Sequence, residues 1–259
     1  MPAGRQVFDK ARRSCGLVFR ALVAFLARPS LDRSPSSQDV SPAVTVIWLL
    51  IFSLAATAAF ALAALPLALS SGAGPGENLT RVFERPLASV ILAVIVLGPL
   101  VEEMMFRGWL KGTARAFVGT SLFLGIWFGG AALLTERAPG ATGAGALVGL
   151  AAFGLAAYVG VTRSGPATPM SWFRPLFPVA FWLQGLVFGA LHFVNAESPS
   201  VGLSVLLTMP FVICGWLWGY ARVTLGLGPA WLLHMAYNVP AVVAMMALPA
   251  VDLLRAGNP

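Results

Sequence analysis

The sequence contains only two histidines, His192 and His234, and both interrupt long apolar runs. Two adjacent carboxylates, Glu102 and Glu103, do the same, and Arg107 follows four residues after Glu103. Placing a charge in hydrocarbon costs roughly 2.5–3.5 kcal/mol on insertion scales, so such residues are functional candidates by default. Their surroundings form three short patterns. Residues 102–107 read Glu-Glu-Met-Met-Phe-Arg, residues 188–192 read Phe-Gly-Ala-Leu-His, and residues 234–238 read His-Met-Ala-Tyr-Asn. On a helix a four-residue step returns to the same face, which joins Glu103 with Arg107 and His234 with Asn238. Adjacent carboxylates point in different directions, so one meets the histidines while the other pairs with Arg107. A Glu103–Arg107 pair alone would leave Glu102 and both histidines unexplained.

Carboxylate and imidazole together suit hydrolysis, which needs an activated water and donors to the oxyanion that forms. A carboxylate in a poorly solvated cavity suits a general base. On this reading Glu102, helped by His192, activates the water. His234 and Asn238 donate to the oxyanion, and Glu103 holds the geometry through Arg107. A metal-assisted route stays open. Glu102, His192 and His234 match the three protein ligands of a catalytic zinc, with the other glutamate as base. No H-E-x-x-H is present, so residue types rather than spacing support it. The cofactor is therefore none or one divalent metal. A serine nucleophile fits worse, since there is no G-x-S-x-G. Cys214 lies in an apolar run with no motif around it. Two other classes remain: a transporter or channel using Glu102, His192 and His234 as ion or proton sites, and a non-catalytic membrane partner-binder.

The elements that must position these residues follow from composition. Hydrophobic residues make up 58% of 259 residues and charged residues 10%, against about 25% charged in a soluble domain. Seven stretches reach spanning length: 43–69, 87–110, 117–134, 143–162, 177–196, 201–221 and 229–249. Only helices satisfy their own backbone in lipid, so the expected fold is an all-α polytopic membrane protein. Gly125/Gly129, Gly145/Gly149, Gly185/Gly189 and Gly215/Gly219 are small-residue pairs that let helices approach closely. Residues 42–259 read as a single transmembrane domain.

Residues 1–41 read as a basic amphipathic helix and a polar linker. Phe8, Ala11, Cys15, Val18, Phe19, Leu22 and Leu26 share one face, with Lys10, Arg13, Arg20 and Arg28 opposite. Arg20 and Arg28 interrupt the apolar run, which argues against a signal peptide. Seven of the 17 Lys and Arg residues fall before position 34, so the net charge of +7 points to an anionic leaflet rather than nucleic acid. With the N-terminus cytoplasmic, 13 of the 17 basic residues collect inside, as the positive-inside rule requires.

The three motifs, in this order and each on an apolar helix, resemble those of the CAAX-protease and bacteriocin-processing family of intramembrane endopeptidases. The likeness covers roughly 95–116 and 180–245. It implies functional roles for Glu102, Glu103, Arg107, His192, His234 and Asn238, with Phe188 packing beside the site. It also implies a membrane protein or peptide substrate, with prenylated CAAX-type termini in some members and bacteriocin-type peptides in others. Two features depart from the pattern. Glu102 and His192 are 90 residues apart, and 117–162 reads as an inserted helical hairpin, which preserves the topology. Counting residues also separates Glu102 from His192 by about 10 Å in depth. A late helix start near Pro178, tilt, or a kink at Pro99 would have to close that gap.

Overall fold

The computed structural model describes residues 2–31, 40–71, 74–75, 81–135, 141–163, 168–197 and 200–256. Eight long helices carry the described chain: α1 (Pro2–Ala27), α2 (Pro42–Ser71), α3 (Leu87–Arg107), α4 (Ala114–Thr135), α5 (Ala141–Arg163), α6 (Phe173–Leu191), α7 (Val201–Thr224) and α8 (Leu227–Ala256). Helices α2 to α7 are each long and apolar enough to cross a membrane. Helix α8 forms over the last stretch expected to span. The only strand pairing among the described residues is a two-residue antiparallel bridge of Gly74–Pro75 with Ala196–Glu197. The fold is all-α and polytopic, as the composition requires.

Lipid is as apolar as the core, so close packing rather than water exclusion holds such helices together. Helices α6 and α7 illustrate this. A Cβ on Gly215 would lie 2.8 Å from Gly185 Cα, and one on Gly189 would lie 2.8 Å from Val212 N. Two of the four predicted small-residue pairs therefore face each other at backbone contact. Gly125, Gly129, Gly145 and Gly149 have nothing at that range. Helices α4 and α5 instead pair through Gly119 on Tyr158, Gly154 on Phe123 and Gly130 on Leu150, which runs them antiparallel. This hairpin packs on α3 through Leu97, Leu100, Val101 and Met104. Glu136 and Arg137, expected in its turn, lie outside the described residues.

Two local departures from the expected spans matter for the site. Helix α6 begins at Phe173, four residues before the predicted start. Pro175 falls in the first turn, where its N–H would have no partner, while Pro178 lies inside the helix. Phe173 then anchors the helix start against Trp109, Phe117 and Phe177. Gly112, at φ 68°, brings the chain so close that a Cβ there would meet the Phe173 ring at 2.1 Å. The second departure is in α3, whose residues Ile91–Leu97 form a π-helix. Pro99 has no N–H and its ring clashes with the carbonyl four residues back, which disfavours a regular α-turn. Gly98 N–H donates to Ala93 O, five residues back.

Helix α1 is amphipathic as expected, yet its apolar arc is divided. Val18, Leu22 and Phe25 are buried in the bundle, whereas Phe8 and Phe19 stay exposed. Phe25 sits edge-on to Phe177, Phe181 and Tyr220, which ties the end of α1 to α6 and α7.

Candidate active site

The widened turn of α3 leaves carbonyls without helical partners, and in lipid these must be satisfied by neighbouring side chains. Helix α8 supplies them. Trp231 Nε1 donates to Val96 O at 3.1 Å, and Asn238 Nδ2 donates to Val94 O at 2.8 Å. Trp231 and Asn238 lie two turns apart on one face of α8, with His234 between them on the same face. The two contacts therefore hold His234 against the carboxylates of α3.

Glu103 and Arg107 are fully buried and ion-paired through Glu103 Oε1 and Arg107 Nη1. The same Glu103 Oε1 lies 3.1 Å from His234 Nδ1. A carboxylate paired with arginine is an acceptor, so His234 carries its proton on Nδ1. Its Nε2 then turns to Glu102, with Oε2 at 3.6 Å. That is longer than a direct hydrogen bond, and Glu102 Oε2 has no hydrogen-bond partner in the protein. Glu102 retains 33% side-chain exposure while Glu103 has none. Glu103 therefore meets both Arg107 and His234, with Glu102 beside His234 outside that pair, whereas the spacing had given the histidines and Arg107 to different carboxylates.

His192 is the first residue beyond α6 and opens a 3₁₀ turn, rather than lying within the helix. Its Nδ1 donates to Phe188 O at 2.8 Å, which leaves Nε2 as the acceptor of the neutral ring. The ring stacks on Phe211 with centroids 4.2 Å apart. Phe188 joins the pieces. Its ring centroid is 4.7 Å from that of His192 and 5.9 Å from that of His234, and the Arg107 guanidinium lies 4.4 Å over its face. Both histidines therefore touch one buried phenyl ring beside the glutamate pair. Helix α6 begins early, so a late start is not what brings His192 beside Phe188.

Three residues absent from the motifs complete the arrangement. Trp218 packs on His234 with ring centroids 4.0 Å apart, and its indole N–H donates to Ser53 Oγ at 3.2 Å. Arg222, which charge counting alone places in a loop, is buried in the last turn of α7. It donates to Arg107 O at 2.7 Å and, through Nη2, to Gly108 O and Tyr158 Oη at 2.8 and 2.7 Å. A guanidinium on the last carbonyls of α3 suits the negative end of a helix, and it fixes the turn that bears Arg107. Tyr158 brings the α4–α5 hairpin into this clamp. Its side chain reaches backbone and arginine, not the carboxylates. No sequence signal marks Trp218 or Tyr158; Arg222 is marked only as a charge at the end of an apolar run.

Ligand geometry for a metal is a separate matter. Among the described residues no three His, Cys, Asp or Glu side chains converge closely enough to hold one ion. The proposed set of Glu102, His192 and His234 is split, with His192 reaching the others only through Phe188 contacts. The donors present do not fit a three-ligand zinc site.

The sequence model of the type II CAAX prenyl endopeptidase Rce1-like family matches residues 84–240, well over half the chain. No curated protein and no solved structure matches. The matched segment runs from the start of α3 past Asn238 and contains every residue of the cluster. This integral, multi-pass chain belongs to the Rce1-like type II CAAX prenyl endopeptidase family of intramembrane proteases.

Proposed function

We propose that the protein is an intramembrane endopeptidase in which Glu102 activates a water held jointly with His234. The observation that carries this is the pair Glu102 Oε2 and His234 Nε2, 3.6 Å apart. With His234 protonated on Nδ1, both atoms are acceptors, and two acceptors facing each other call for a donor between them. A water drawn in from the exposed side of Glu102 would donate one proton to the carboxylate and one to the imidazole. Its lone pairs are then free for a scissile carbonyl. Glu102 takes the proton as water attacks and returns it to the leaving amine. Glu103 orients His234, and Arg107 fixes Glu103. His192, whose Nε2 is left as an acceptor, is the second base of the proposed set.

This assignment moves His234 from oxyanion donor to water holder, because its neutral ring has no proton on Nε2. The donor role falls to Asn238, whose amide gives one proton to Val94 O and keeps a second. Asn238→Ala is expected to lower kcat by about 10²–10³ with little change in KM, since one oxyanion donor is worth that much. An unchanged kcat would remove Asn238 from the reaction.

The substrate is a membrane-associated protein or peptide, and the family description makes a prenylated C-terminal peptide the first to test. The basic face of α1 holds the protein to an anionic leaflet, with the N-terminus cytoplasmic. The direct test is cleavage of a farnesylated peptide by purified protein in lipid vesicles, followed by mass spectrometry. A single cut on the C-terminal side of the prenylated cysteine supports the proposal. Release of product equal to that of protein-free vesicles would refute it for this substrate class, and coupled proton flux in its place would favour transport.

A further inference from the structure

A groove of about 750 Å³ opens where the first half of α1 crosses the start of α2. Its volume falls within the ~300–1,000 Å³ of small-molecule sites. The two ends differ in chemistry. Lys10 and Arg13, one turn apart on α1, line one side, and no acidic residue is among the lining residues. Ser41, the residue before α2, lines the groove too, where the helix presents the positive end of its dipole. The floor is Trp48, whose indole N–H donates to Ser14 Oγ at 3.0 Å and so pins the two helices together. An indole with one apolar and one polar edge suits the headgroup level of a bilayer. From there Val44 and Ile47 lead onto the apolar outer face of α2, where Ile47 and Ile51 are exposed.

We propose that this groove seats one anionic phospholipid, with its phosphate between Lys10 and Arg13 and an acyl chain along Ile47 and Ile51. Cations alone would take any phosphate. The apolar wall running from them along a spanning helix selects an amphipath already in the membrane. The proposal refines the general surface attraction given above for α1, and the two make different demands. Attraction to a charged surface uses every basic residue of α1, including Arg12 and Arg20, which do not line this groove.

Delipidated protein titrated with phosphatidylglycerol or phosphatidylcholine and read by native mass spectrometry tests the seat. One phosphatidylglycerol is expected to remain bound in preference to phosphatidylcholine. Lys10→Ala with Arg13→Ala should weaken its retention about 30-fold, near fivefold per basic side chain. Arg12→Ala with Arg20→Ala removes the same charge and should leave retention unchanged. Equal loss in both double variants would reduce the seat to bulk surface charge and overturn it. Equal retention of phosphatidylcholine, or displacement by millimolar glycerol phosphate, would overturn it as well. Should the double variant not fold, Lys10→Gln alone is expected to give the fivefold effect. Peptide cleavage is not the readout, so failure here leaves the catalytic reading untouched.

Discussion

Glu102→Gln is expected to lower the rate of peptide cleavage by about 10²–10⁴ while leaving the melting temperature of the protein unchanged. The rate loss is the usual worth of a positioned general base. The unchanged stability follows from the surroundings of this residue. Glu102 keeps one-third of its side chain exposed, and its Oε2 has no hydrogen-bond partner in the protein. Glutamine has the same shape, removes no contact, and cannot take the proton from water. Rates measured in vesicles at saturating substrate, beside a thermal unfolding curve, check both halves. Cleavage within threefold of wild type would place the base elsewhere.

Glu103→Gln is expected to behave in the opposite way, with loss of stability as well as activity. Glu103 lies fully buried between Arg107 and His234. Removing one partner of a buried ion pair costs about 3–5 kcal/mol, because the other charge is left uncompensated. Arg107 has little else to fall back on. Its Nε and Nη2 have no hydrogen-bond partner, and the faces of Phe188 and Trp218 lie near the guanidinium. The substitution also removes the carboxylate that fixes the His234 tautomer, so activity falls beyond what unfolding explains. Replacing both members, Glu103→Gln with Arg107→Leu, is expected to recover much of the stability and none of the cleavage. Recovery of cleavage in that double variant would make the pair purely structural.

The parts of this site legible in the sequence are those that a four-residue helical step encodes. Glu103 with Arg107, Phe188 with His192, and His234 with Asn238 each declare a shared face through local spacing alone. The all-α fold was legible for the same reason: long apolar runs leave the backbone no other way to satisfy itself in lipid. What stayed hidden depends on contacts between distant segments. Nothing in Ile91–Leu97 marks a π-turn except Pro99 beyond it, and the carbonyls are satisfied by Trp231 and Asn238, more than 130 residues away. The role of His234 changed with its contact to Glu103, 131 residues away. Arg222 read as one more loop charge because its acceptors, Arg107 O and Gly108 O, lie on another helix. Helix α6 began early because Phe173 found an aromatic pocket that local proline statistics do not register.

In the proposed reaction a water held between Glu102 and His234 attacks the peptide bond with no covalent intermediate. Cleavage of a membrane-embedded substrate peptide in ¹⁸O-labelled water, with both products weighed, tests it most directly. One ¹⁸O is expected in the new carboxylate during a single turnover, at full yield in wild type and at background yield in Glu102→Gln. Undiminished labelled product from Glu102→Gln, or a covalent acyl-protein adduct trapped in wild type, would contradict it.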